Sequence, residues 1–195
     1  MTVKRRFPGI IAGRICTSVA LLAVSMSMFL TERAHGSEEP VLVGVVTRAE
    51  VEQAMPDWIG EAMRAEPDLE ATERLVQEIV GAEVKVYLGT WCDDTRRELG
   101  RLWWALDSLG VGEMPQLGYL AVARGLTEPA EELVGVDLIR VPTFVVRREG
   151  IELGRIVEES PNGIEIDLLA LLTGESTGTL TASPDLLDEE VDSGP

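Results

Sequence analysis

The chain alternates between two hydrophobic periods, and the points where the period changes mark its elements. Residues 41–46 form an apolar run of strand length. Thr47, with Glu50 three residues later, has the form of a capping box and predicts a short helix immediately after that strand. Trp58, Ile59 and Met63 follow Pro56-Asp57 and predict a second helical stretch. After Pro67-Asp68, the apolar residues Leu75, Val76, Ile79 and Val80 recur at helical spacing up to a stop at Gly81. From Glu83 the period falls to two, with Val84, Val86 and Leu88 on one face and Lys85 and Tyr87 on the other, which predicts a strand. Beyond Gly89-Thr90-Trp91-Cys92, a stripe of Leu99, Leu102, Trp103, Leu106 and Leu109 predicts a helix ending at Gly110. Cys92 is thereby placed at a strand-to-helix junction.

Residues 117–122 read as a buried strand, and Glu128-Pro129-Ala130-Glu131-Glu132 as a short helical or loop segment. Two strands, at 143–147 and 151–157, flank a turn at Glu149-Gly150 and predict a hairpin. Ser160 as N-cap and Pro161 at the first helical position predict a last helix through Ile164, Leu168, Leu169 and Leu172, stopping at Gly174. Residues 175–195 are rich in Ser, Thr, Gly, Pro and acidic groups, which predicts a disordered tail. Strands alternating with helices need parallel crossovers, and a closing hairpin adds antiparallel strands to the same sheet. The fold class expected is α/β, a mixed central sheet with helices on both faces and an N-terminal helical extension at residues 37–69.

The first 36 residues follow a different logic. A basic start (Lys4, Arg5, Arg6, Arg14) leads into a 16-residue apolar run at 15–30, followed by Ala34-His35-Gly36. This is the pattern of a secretory signal peptide, cleaved near Gly36, and it predicts a periplasmic or secreted protein. The alternative is an uncleaved anchor, which the run is short for, since a spanning helix needs about 20 residues. Residues 1–36 hold five basic residues and one acidic, so their removal leaves 12 Lys+Arg against 33 Asp+Glu. A surface that acidic is repelled by phosphate backbones and anionic head groups, so neither nucleic acid nor, after cleavage, membrane is an expected partner. The same removal takes His35 and Cys16, leaving no histidine and a single cysteine, Cys92. Ser–His and Cys–His pairs, His-ligated metals, Cys-rich zinc sites and internal disulfides are then all excluded. No metal and no cofactor are expected.

Residues 84–95, ending in Trp91-Cys92-Asp93-Asp94-Thr95, resemble the strand and active-site turn of thioredoxins. Arg140-Val141-Pro142-Thr143-Phe144 resembles their cis-proline strand, and Glu149-Gly150 the hairpin turn after it. Gly154-Arg155-Ile156-Val157-Glu158 completes a likeness to bacterial thioredoxin-like proteins with a Trp-Cys-x-Asp-Ser/Thr turn. The resemblance runs in order through residues 70–174. It implies a thioredoxin fold for that domain, a cis Val141-Pro142 bond, and Cys92 lying beside Pro142 despite 50 residues of separation. It implies Cys92 as nucleophile, with Trp91, Asp93, Asp94, Thr95, Val141 and Pro142 shaping the site. The chemistry agrees, because a cysteine at the first turn of a helix faces unpaired backbone N–H groups that favour the thiolate.

The departures from that pattern carry information too. Thr95 stands where dithiol thioredoxins have their second cysteine, so a mixed disulfide on Cys92 must be released by an external thiol. The Thr95 hydroxyl is expected to donate to the sulfur. Val86 replaces the family's buried Asp, Gly100 its helix-kinking Pro, and the pair Glu158-Glu159 the glycine that lines its client groove. Asp93 and Asp94 suit a helix N-terminus, with Asp93 pairing to Arg97 at i,i+4.

The function expected is an exported monothiol oxidoreductase acting in thiol–disulfide exchange, on disulfide- or thiol-containing proteins or small thiols. The alternative is a redox-inactive thioredoxin-fold binding or chaperone-like module, in which Cys92 is vestigial or links two chains as a dimer.

Overall fold

A computed structural model describes residues 40–64 and 66–189; the segment read as a signal peptide, residues 1–36, lies outside the described residues. The elements in chain order are β1 (Gly44–Val46), α1 (Arg48–Ala54), α2 (Trp58–Ala62), α3 (Leu69–Glu78), β2 (Ala82–Leu88) and α4 (Asp93–Ser108). They continue with β3 (Leu117–Ala121), β4 (Thr143–Arg148), β5 (Ile151–Val157), α5 (Ile164–Thr173), β6 (Gly178–Leu180) and α6 (Pro184–Glu189).

Local chemistry sets the boundaries. The capping box forms as predicted: Glu50 N–H donates to the Thr47 hydroxyl at 3.2 Å, and Thr47 N–H donates to the Glu50 carboxylate at 2.7 Å. Asp68 caps α3 through Ala71 N–H at 2.9 Å. Glu149 and Gly150, at φ 54° and 79°, join β4 to β5 by the two-residue turn whose twist suits a hairpin. The last helix starts later than the sequence predicts. Gly163, not Ser160, is its N-cap: the Ser160 oxygen accepts from Gly163 N–H at 3.2 Å while its hydroxyl donates to the buried Asp167 carboxylate, which closes a turn ahead of the helix.

One mixed sheet orders its strands β1-β3-β2-β4-β5-β6. The β2-α4-β3 crossover makes a parallel pair, with Val86 opposite Tyr119, while β4 runs antiparallel to both β2 and β5. The N-terminal extension is more than helical, since β1 joins the sheet at one edge, antiparallel to β3.

The sheet's two faces are covered differently, which corrects the expectation of helices on both. Val84, Val86, Leu88, Tyr119, Phe144, Val146 and Ile156 share one cluster with residues of α1 through α5, Trp58, Leu75, Trp103 and Leu168 among them. At its centre the Trp103 indole N–H donates to the Tyr119 hydroxyl at 2.9 Å, and the Arg48 guanidinium lies 5.1 Å over the Trp103 ring while holding Asp107. The opposite face presents Tyr87, Leu120 and Val145, and it is met by the irregular segment between β3 and β4, through Leu126, Leu133, Val136 and Leu138. Beside Glu132 of that segment, a groove of about 450 Å³ opens over Lys85, Tyr87 and Arg147. Residues 123–142 show no helical repeat of apolar positions, so they cover the sheet without becoming a helix.

The described part of the tail also departs from expectation. In place of disorder, β6 adds a parallel strand to β5, with Gly154 opposite Gly178, and Thr181 and Ser183 are buried. The strands approach so closely that a Cβ on Gly154 would sit 2.6 Å from the Gly178 carbonyl oxygen. An edge strand with free backbone groups supplies the hydrogen bonds that a polar composition does not reveal.

Candidate functional site

The site is built where β2 ends and α4 begins. Cys92 is the N-cap of α4, with extended backbone at φ −105° and ψ 123° and no side-chain cap bond. Its N–H donates to the Gly89 carbonyl at 3.0 Å, and its own carbonyl accepts from Arg96 N–H at 3.1 Å, so the turn is closed on both sides. The sulfur is half-buried and free. Its S–H donates to the Val141 carbonyl at 3.2 Å, a contact between residues 49 apart in sequence. Val141-Pro142 is a cis peptide bond. Cys92, Val141 and Pro142 are thus brought together, as the resemblance implies.

The residues around the sulfur play other parts than the sequence suggests. Trp91 is half-buried, its indole N–H donates to the Val122 carbonyl at 3.0 Å, and the Arg124 guanidinium lies 5.4 Å over its ring. That ring lies against Gly89, where a Cβ would come within 2.7 Å of it, so the turn needs glycine there. Thr95 is fully buried, and its hydroxyl accepts from Gly89 N–H at 3.3 Å; it braces the turn and is not directed at the sulfur. Asp93 pairs with Arg96 at 2.6 Å and Asp94 with Arg97 at 2.8 Å. Both pairs are i,i+3, and the expected Asp93–Arg97 pair does not form. The two carboxylates sit in the first turn of α4, where they complement its dipole.

One turn further along, Glu98 is buried with its Oε1 3.2 Å from the Arg97 Nε, and its Oε2 has no hydrogen-bond partner. Burial pushes its carboxyl above the usual range, and Arg97 pulls it back only in part.

Hydrogen bonds from more distant residues secure the loops on either side. The Thr90 hydroxyl donates to the Pro40 carbonyl at 2.7 Å and accepts from Leu42 N–H at 3.1 Å, which laces the N-terminal segment to the cysteine turn. Opposite, Glu158 N–H donates to the Pro142 carbonyl at 2.7 Å, and the Thr143 hydroxyl donates to the Arg140 carbonyl at 2.7 Å. The Glu158 carboxylate accepts from Arg140 at 3.3 Å and from the Ser183 hydroxyl at 2.7 Å, while Arg140 also pairs with Asp185. Sequence reasoning missed Thr90, Arg140 and Ser183. Only the displacement of a glycine near Glu158-Glu159 hinted that this flank is unusual.

No family model matches the chain, and no curated protein matches it. Among solved structures it is similar to a protein of unknown function from Pseudomonas aeruginosa, at 20% identity and a TM-score of 0.46, over 67% of this chain and 88% of that one. It is also similar to an HIV epitope scaffold, at 22% identity and a TM-score of 0.44, with the same coverage.

Proposed function

We propose that this chain is an exported thioredoxin-fold protein that carries out thiol–disulfide exchange through Cys92 alone. The observation that carries the reading is the half-buried Cys92 sulfur at the N-cap of α4, 3.2 Å from the carbonyl that precedes Pro142. The thiolate of a cysteine is the nucleophile in exchange. The Cys92 thiolate attacks one sulfur of a disulfide, a new S–S bond forms as the old one breaks, and the departing thiolate takes up a proton. Thr95 offers no second sulfur, so a free thiol attacks the Cys92 mixed disulfide and regenerates the Cys92 thiolate; electrons pass from that thiol to the disulfide. The partners are disulfide- or thiol-bearing proteins or small thiols.

A second reading, a redox-inactive binding module, is favoured by one fact. Val141 is only 4% exposed and its carbonyl is already engaged by Cys92, which leaves little backbone for a client strand.

The test sets the full chain beside Cys92→Ser, each incubated with glutathione disulfide and with exported proteins. Under the exchange reading, mass spectrometry finds a mixed disulfide on the wild type alone, released by excess thiol. If the wild type forms none while its thiol still alkylates, the binding-module reading replaces it.

A further inference from the structure

The backbone of Glu158 has φ 65°, a left-handed conformation that a residue with a Cβ adopts at a cost. Glycine would adopt that conformation freely. The glutamate side chain there makes contacts that a glycine could not. Its two carboxylate oxygens are divided: Oε1 receives Arg140 and Oε2 receives the Ser183 hydroxyl. Its side chain is only 16% exposed. Arg140 begins the turn that ends at Thr143, and Glu158 N–H holds the Pro142 carbonyl from the other side. That turn carries the Val141 carbonyl which receives the Cys92 S–H. Ser183 and Asp185 belong to the C-terminal segment, and Asp185 reaches the same Arg140. The C-terminal segment therefore reaches the 140–143 turn by two routes, through Glu158 and through the Asp185–Arg140 pair, and the turn leads on to the sulfur.

We propose that Glu158 is a positioning residue: by joining the docked C-terminal segment to the 140–143 turn, it sets how firmly the Val141 carbonyl holds the Cys92 thiol. The inference takes Cys92 as the reactive group, and so rests on the function proposed above. A thiol engaged as a donor attacks more slowly than a free one, because the nucleophile is the thiolate. Loosening the turn therefore frees the sulfur.

Two substitutions in the full chain separate this from a merely structural role. Glu158→Gly keeps the N–H that holds Pro142 and suits the positive φ, so the fold is retained, and only the route through the Glu158 carboxylate is cut, with Arg140–Asp185 left in place. Ser183→Ala cuts the connection from the other end. Two quantities are read: the infrared S–H stretch, which falls when the thiol is hydrogen-bonded, and the iodoacetamide alkylation rate at neutral pH. Both variants are expected to move the S–H band toward the free-thiol position and to raise the rate by about two- to fivefold, the factor of one weak hydrogen bond. Glu158→Gln, whose amide oxygen can accept from Arg140 while its NH2 donates to the Ser183 hydroxyl oxygen, is expected to restore the wild-type band. An unchanged band and rate in Glu158→Gly overturn the proposal, and so does a change there that Ser183→Ala fails to share. Neither readout involves a disulfide substrate, so failure of the exchange function leaves this result standing, and the reverse also holds.

Discussion

Thr90 donates its hydroxyl hydrogen to the Pro40 carbonyl at 2.7 Å, across 50 residues of chain. Because the same oxygen accepts from Leu42 N–H at 3.1 Å, one buried side chain two residues before Cys92 fastens the N-terminal segment to the turn that carries the sulfur. On the far side, Glu158 does the equivalent for the C-terminal segment. The site is thus bounded by the two ends of the described chain.

Thr90→Val keeps the shape and removes both hydrogen bonds. The Leu42 N–H and the Pro40 carbonyl lose their partner, which costs about 1–3 kcal/mol. The expected outcome is a lower denaturation midpoint together with faster amide exchange at Leu42, measured by hydrogen exchange with mass spectrometry. Protection at Leu42 unchanged from wild type would show that the lacing does not hold the segment.

Gly154→Ala tests the seam between β5 and β6. The added Cβ would stand 2.5 Å from the Leu171 side chain and 2.6 Å from the Gly178 carbonyl oxygen. A side chain can turn away, but a strand backbone must move. Overpacking of this kind costs about 1–3 kcal/mol, and here it also separates β6 from the sheet. Thermal unfolding should show the loss, with exchange protection falling at 178–180 before it falls in β4. Equal Tm values for wild type and variant would sink this expectation.

The Tyr119 phenol yields a pH prediction. Burial pushes it up to about 12 from the usual 10, against a smaller opposing pull from the hydrogen bond with the Trp103 indole. A raised phenol means that the unfolded chain loses its proton first as pH rises. The associated stability is therefore complete below about pH 10 and is lost between about 10 and 12, on the order of 2–3 kcal/mol in all. Denaturation midpoints measured across that window should fall more steeply in wild type than in Tyr119→Phe. The variant starts lower at neutral pH, since the buried Trp103 N–H loses its acceptor. Parallel curves for the two proteins would contradict the assignment.

Much of the secondary structure was legible in order because each element shows its own period. The two-residue repeat of Val84, Val86 and Leu88 and the stripe of Leu99, Leu102, Trp103 and Leu106 both become the elements they predict, facing the same cluster. Cys92 at the helix start followed from the point where one repeat replaced the other. Its meeting with Val141 came only from the resemblance, since nothing local to either residue encodes a contact across 49 positions. Ser160 misled as an N-cap because the backbone N–H its oxygen accepts is that of Gly163, so it closes a turn before the helix begins. Thr95 misled in the same way: its place in the turn was readable, but its hydroxyl went to the Gly89 backbone.

The sequence by itself determined the order of helices and strands from β1 to α5, where the one described cysteine stands, and that the surface is acidic. These depend on neighbours within a turn or two of chain, and on residue counts. The tertiary structure decided which face of the sheet α1 through α5 cover, that the segment at 123–142 covers the other face without a helix, and that a polar tail docks as β6 beside β5. An apolar stripe states that a helix must be buried but not against which surface, and a free strand edge accepts any backbone that can approach it. Those choices are made only when the whole chain is packed together.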